Sequence, residues 1–359
     1  MSNKKLFIQT IILIIILILI TSYAHVFFLP KNNFPAFDFD YTYSYCMWKE
    51  FYRFDKNELE IISFGSSHSN CTIIPAVLNN KLKVNSFNLS TIGANIDVIY
   101  FQLKEVLKTH SPKIVTIEMF SVAGFGNNEK YYEKAFSGMK LSRNKYDAVK
   151  ELLPNQMISN LFPLINNRLQ WKNSEISKDL IGVFTKSTKL NQYGYLLFNN
   201  VYENEEEYLL PDLESKSLNQ VSTSDKDLVT LQKISDLCKN NDIQLIFVVA
   251  PFIMQENYTY IDLAEKVNAL NAFCIERNIP IINYIELTDE IGLKMTDFAD
   301  PGHLNISGAV KTTDHLSNYL DKNYSDNLNN CTWDNQTQSK ERYTELIKEK
   351  DSFYNGLNE

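Results

Sequence analysis

The chain reads as an α/β protein built on a doubly wound parallel sheet. Three observations lead there. Short apolar runs recur along the sequence, helix-length amphipathic stretches separate them, and the runs are continuous, as in Ile246-Phe247-Val248-Val249. A strand buried on both faces has no solvent side and so shows no polar alternation. Strand alternating with helix implies right-handed βαβ units. A chain of 359 residues with 44% hydrophobic and 13% aromatic content can fill such a core.

The first element is an apolar segment over residues 1–29. Lys4 and Lys5 precede 6–29, and the centre, 11–20, is entirely aliphatic. At ~1.5 Å rise per residue this makes roughly 36 Å of helix, enough for a hydrocarbon core of about 30 Å. Two lysines before it against Lys31 after it place the N-terminus in the cytoplasm and the rest outside, as a single-pass protein. A cleaved signal peptide is the alternative, because Ser22-Tyr23-Ala24 has small residues at cleavage spacing. Apolar sequence continues as Val26-Phe27-Phe28-Leu29, which favours a retained anchor.

Residues 30–57 form an aromatic-rich, irregular lead-in carrying Phe34, Phe37, Phe39, Tyr41, Tyr43, Tyr45 and Trp48. The α/β domain spans 58–323. Its five core strands are expected at 60–64, 84–89, 113–119, 243–250 and 279–284, with helices at 96–108, 225–240, 260–277 and 307–320. Residues 121–222 interrupt the rhythm. A hundred residues between adjacent strands is too long for a loop, so this stretch is expected to be an inserted, mostly helical cap. Residues 324–359 turn polar and are expected to form a surface helix at 339–350 within a loose tail.

Charge and cysteine usage narrow the function classes. The net charge is −8 and no basic stripe is present, which argues against a nucleic-acid partner. The run Glu203-Asn204-Glu205-Glu206-Glu207 reads as a solvated face. Five cysteines match no metal spacing and no disulfide framework; a Cys238–Cys274 bridge is conceivable, but nothing selects it. Neither a cofactor nor a metal is expected.

Two short loops carry the chemistry. Gly65-Ser66-Ser67-His68-Ser69 follows the first strand, and Asp300-Pro301-Gly302-His303-Leu304-Asn305 precedes the last helix. In parallel sheets, sites form outside the carboxyl ends of the strands. Ser67 would stand there at the head of a helix. A serine becomes nucleophilic when a base takes its proton, and the base works best when a carboxylate fixes its tautomer. Of the five histidines, His25 lies in the anchor, His110 precedes strand three, His315 falls inside the last helix, and His68 adjoins the serine too closely to serve as its base. His303 remains, with Asp300 three residues earlier. Taken singly, each loop would be read as a turn or a helix cap.

Those loops, with Phe87-Asn88-Leu89-Ser90-Thr91-Ile92-Gly93-Ala94, resemble the three-layer α/β/α, flavodoxin-like SGNH (GDSL-like) hydrolase superfamily. The likeness is to its membrane-anchored branch, which includes alginate O-acetylation and teichoic-acid D-alanylation proteins. It covers about residues 58–120 and 240–320. The resemblance implies Ser67 as nucleophile, His303 as base, Asp300 as orienting carboxylate, and an oxyanion hole from the N–H groups of Ser67 and Gly93. The superfamily's third donor, an asparagine after strand three, is missing: this chain reads Glu118-Met119-Phe120-Ser121. Asn88 or Asn95 is the candidate replacement, and His68, Asn88, Asn95 and Asn305 are the residues expected to line the substrate site.

The expected activity is O-acylation, in particular O-acetylation, of a cell-envelope or exported polysaccharide through an acyl-enzyme. A membrane-bound O-acyltransferase would be the acyl donor and the polysaccharide the acceptor. Two other readings stand beside it: a simple carbohydrate esterase, and a non-catalytic glycan-binding envelope protein on the same fold.

Overall fold

The computed structural model describes residues 3–27, 39–123, 129–162, 165, 193–203, 225–253, 260–328 and 333–357. Five strands make an all-parallel sheet: β1 (Ile61–Phe64), β2 (Ser86–Asn88), β3 (Ile114–Glu118), β4 (Gln244–Val249) and β5 (Ile281–Asn283). Their spatial order is β2-β1-β3-β4-β5. The order reverses between β1 and β3, so the crevice at their carboxyl ends is the position where such sheets take ligands. A short antiparallel pair follows, β6 (Phe298–Asp300) with β7 (His303–Leu304).

Side chains alternate between the two faces of the sheet, and both faces are dry. Ile62, Phe64, Val115, Ile117, Phe247 and Val249 enter one apolar cluster; Ile61, Ile114, Ile246 and Val248 enter another, with Leu316 and Leu320 of the helix Ile306–Tyr324. Each buried aliphatic or aromatic side chain contributes roughly 1.5–3 kcal/mol. That double burial is the reason the strands read as unbroken apolar runs.

The N-terminal helix Asn3–Phe27 includes an exposed span, Lys4–Ser22, of mean hydropathy 2.5. Among the described residues it is the one helix long and apolar enough to cross a membrane, as a signal anchor or a signal sequence would be.

Two regions differ from the sequence expectation. The lead-in is helical over Phe39–Phe51, with Tyr41, Tyr43, Tyr45, Met47, Trp48 and Phe51 all buried. Its aromatics surround the helix, so no single stripe marks it, and a helix that is apolar all round is one buried all round. The helix expected at 339–350 in the polar tail is present but longer, Trp333–Leu357, and it packs on the helix Pro75–Leu82 with Leu346 fully buried. Arg342 ties it to the lead-in helix through Glu50 (2.8 Å) and lies 3.7 Å from the Tyr193 ring centroid. The conceivable Cys238–Cys274 bridge is absent; both thiols are buried and free, like that of Cys71.

Within the insertion, helices Glu129–Phe136, Arg143–Leu152 and Met157–Leu161 build outward from the main core, where Phe136, Ala148 and Val149 are buried. Residues 193–203 run without helix or strand along the carboxyl end of the sheet. They hydrogen-bond to Asn70, Asn88 and Phe298 through the backbone. Residues 124–128, 163–164, 166–192 and 204–222, with the acidic run beyond Glu203, lie outside the described residues.

Candidate active site

β1 ends at Phe64, and the chain turns directly into the helix Ser67–Thr72. Gly65 is required by close approach: a Cβ there would stand 2.5 Å from Ser69 Cβ and 2.7 Å from Glu118 Cβ. Ser66 is extended (φ −87°, ψ −160°) and caps the helix by accepting from the His68 N–H. Ser67 thus opens the helix at the switch point and is partly exposed.

The second loop is a hairpin. Pro301 and Gly302 form a two-residue connection, so Asp300 and His303 face each other as cross-strand partners. That pairing explains how residues three apart in sequence meet side chain to side chain. His303 Nδ1 lies 2.9 Å from both Asp300 carboxylate oxygens, and Gly302 N–H donates to Asp300 Oδ1 at 2.8 Å. His303 Nε2 lies 2.9 Å from Ser67 Oγ, closing a contact across 236 residues of sequence. With a carboxylate accepting at Nδ1, that nitrogen carries the proton. The Nε2 lone pair is then free to accept from the serine hydroxyl.

Electrostatics sharpens these roles. Partial burial pushes the Asp300 carboxyl up, but the hydrogen bond and charge of His303 and two backbone N–H groups outweigh it. The carboxyl is held below the ordinary carboxylate range. Burial, then the neighbouring His303, lowers His68 to about 3, so its ring stays neutral. The Cys71 thiol beside the site is pushed well up by burial and by Asp300, which removes it as a competing nucleophile.

Of the residues expected to contact substrate, none of the asparagines faces the serine freely. Asn88 is fully buried, donating to the Ser69 and Ile73 carbonyls and accepting from Ser90 N–H. Asn95 caps the helix Ile96–Val106 through Val98 N–H and donates to the Tyr132 hydroxyl at 2.6 Å. Asn305 caps Ile306–Tyr324 and donates to the carbonyls of Asn200, Thr296 and Phe298. These amides, expected to contact substrate and, for Asn88 and Asn95, to offer a third oxyanion donor, are instead hydrogen-bonded within the protein: Asn88 and Asn305 to backbone groups, Asn95 to Val98 N–H and the Tyr132 hydroxyl. His68 is 7% exposed and stacks between Phe120 (centroids 3.8 Å, 7°) and His303 (5.0 Å, 27°). It braces the base ring.

Gly93 sits at φ +69° in the turn closed by Ala94 N–H on the Thr91 carbonyl, and a Cβ there would meet the Tyr131 ring at 2.4 Å. Both constraints demand glycine. Among the described residues its N–H bonds to no backbone carbonyl.

Three neighbours were not singled out from sequence. Phe198, at the end of the insertion, tilts over His303 at 5.8 Å. Phe252, from the loop after β4, meets Phe120 edge-on at 5.1 Å. Glu118 ends β3 fully buried, accepting from Ser66 Oγ at 2.9 Å and from Phe120 N–H at 2.6 Å. Burial pushes its carboxyl up to about 7 against those hydrogen bonds. A lone acid ending an apolar strand was the available signal for Glu118; for Phe198 there was none.

Among the described residues no cluster of metal-ligating side chains occurs. No family model matches the chain, and no curated protein matches it.

Proposed function

We propose that the chain is an SGNH-like serine acyltransferase or esterase, held at the outer face of a membrane by its N-terminal helix. The observation that carries this reading is the unbroken Ser67–His303–Asp300 chain at the sheet's switch point, with 2.9 Å contacts on both sides of the imidazole.

Ser67 Oγ would attack the carbonyl carbon of an acyl donor while its proton passes to His303 Nε2. The tetrahedral oxygen would be held by the Ser67 and Gly93 N–H groups. As the intermediate collapses, His303 returns the proton to the leaving oxygen and the acyl group stays on Ser67. An incoming sugar hydroxyl then gives its proton to His303 and attacks the acyl-serine; as that intermediate collapses, His303 passes the proton to Ser67 Oγ, which departs as the free serine, and the glycan ester leaves. A membrane-bound O-acyltransferase fits as donor, because the anchor keeps the domain beside it. Asn88 and Asn95 are committed elsewhere, so the hole is read with two donors, which suits slow transfer.

Replacing Ser67 by alanine in the native envelope should abolish the alkali-labile acyl esters of the target polysaccharide with protein level unchanged. Unaltered acylation in that strain would overturn the reading. Simple esterase action is the second reading, favoured by the part-exposed Ser67 and His303. Steady turnover of p-nitrophenyl acetate by the isolated protein would select it over transfer.

A further inference from the structure

We propose that Glu118 is a positioning residue that sets the spacing between the nucleophile and the base from beneath the site. This rests on the serine-acyl reading above and adds a residue outside the triad and the oxyanion hole.

The two carboxylate oxygens of Glu118 serve different arms. Oε2 accepts from Ser66 Oγ at 2.9 Å. Ser66 is the residue immediately before the nucleophile and the cap of its helix. Oε1 accepts from Phe120 N–H at 2.6 Å. The Phe120 ring lies parallel to His68 at 3.8 Å, and His68 stacks on His303 at 5.0 Å. One arm therefore ends at Ser67 and the other at the imidazole that must take its proton. The stem of Glu118 also leaves no room for a side chain at Gly65, the first residue of the turn, where a Cβ would come within 2.7 Å of the Glu118 Cβ.

A bland structural role explains this poorly. Glu118 is 1% exposed and forms no salt bridge among the described residues, and burying a carboxylate without a cation is costly unless hydrogen bonds hold it. An apolar side chain would fill the same volume at less cost. What it could not do is hold two loops at a fixed separation, and misplacement by about 1 Å can cost about 10²-fold in rate.

The test is the reaction of the full-length protein with a fluorophosphonate probe, which needs neither acyl donor nor glycan, with the maximal labelling rate separated from probe affinity. Glu118→Ala should lower the maximal rate about 100-fold and Glu118→Gln, which can keep one arm, about 10-fold, each with affinity within about twofold. Wild-type rates in both variants, or losses confined to affinity, overturn the proposal. Should neither variant fold, Ser66→Ala removes the hydroxyl of the first arm, and with it the side-chain cap of the helix, while leaving the second arm in place; about a 10-fold slower maximal rate with affinity unchanged supports the proposal and an unchanged rate overturns it. If the wild-type protein itself fails to react, the serine-acyl reading fails and takes this inference with it. If the wild type reacts and the variants match it, only the role of Glu118 falls.

Discussion

Asp300 and Glu118 are two carboxylates that reach the same Ser67–His303 pair, one through the base and the other through the nucleophile turn, and their surroundings push them in opposite directions. Asp300 stands on a hairpin with its side chain about half exposed, and His303 with the backbone N–H groups outweighs its partial burial to hold it low. Glu118 closes a central strand, fully enclosed, and burial carries its carboxyl up to about 7. The same carboxyl chemistry is thus held as an anion in one place and as an enclosed, harder-to-ionise acid in the other, which suits the orienting and positioning roles proposed for them.

The strongest way to break this contrast is to remove what the two carboxylates serve. Ser67→Ala and His303→Ala are each expected to lower serine-dependent acyl turnover by about 10³-fold or more, with the melting temperature within a few degrees of wild type by calorimetry. Next comes Asp300→Asn, which keeps the shape but offers an N–H to His303 Nδ1 and so favours the wrong tautomer. A loss of about 10²–10⁴-fold in p-nitrophenyl acetate turnover is expected, well beyond the loss for the same acid-to-amide change at Glu118. Equal losses at the two positions would erase the distinction between them.

Smaller effects sharpen the picture. Gly93→Ala must adopt φ +69° against the Tyr131 ring, so a destabilisation of about 1–3 kcal/mol is expected in urea unfolding, with slower acylation of the folded protein. Asn305→Ala removes a helix cap and should cost about 1–2 kcal/mol while leaving the acylation rate of the folded protein unchanged. A selective loss of substrate affinity would instead return Asn305 to the substrate site.

The pH dependence of stability separates the buried groups by sign. His68 is lowered to about 3 from an ordinary 6.5, so its contribution is present above about 6.5 and is lost as pH falls toward 3. Glu118 is raised from 4.5 to about 7, so its contribution is present below about 4.5 and is lost as pH rises through 7. Stability curves of His68→Phe and Glu118→Gln should therefore flatten on opposite limbs, the first in acid and the second toward neutrality. A flattening of both curves on the same limb would contradict the assignment that belongs to the other limb.

How much of this was legible beforehand depends on what each residue answers to. The strands were readable to within two residues at every end, because burial on both faces leaves an uninterrupted apolar signature; β2 and β5 came out as the shorter cores of their runs. The helix Phe39–Phe51 was not readable, since aromatics on every side produce no stripe. The Asp300–His303 pairing was legible as a spacing, but the reason for it, a two-residue hairpin, was not. Asn88, Asn95 and Asn305 were drawn to the substrate because a polar residue beside a nucleophile looks the same in sequence whether it caps a helix or meets a sugar. Glu118 was visible as the residue standing where the expected asparagine motif fails, yet only its two hydrogen-bonded arms show what it holds.

One measurement bears most directly on the central claim: intact-mass and peptide mapping of the wild-type and His303→Ala proteins after brief exposure to a fluorophosphonate. A single adduct on Ser67 in the wild type, nearly absent from His303→Ala, is the result the account predicts. No adduct on Ser67, or one formed equally well without His303, would contradict it.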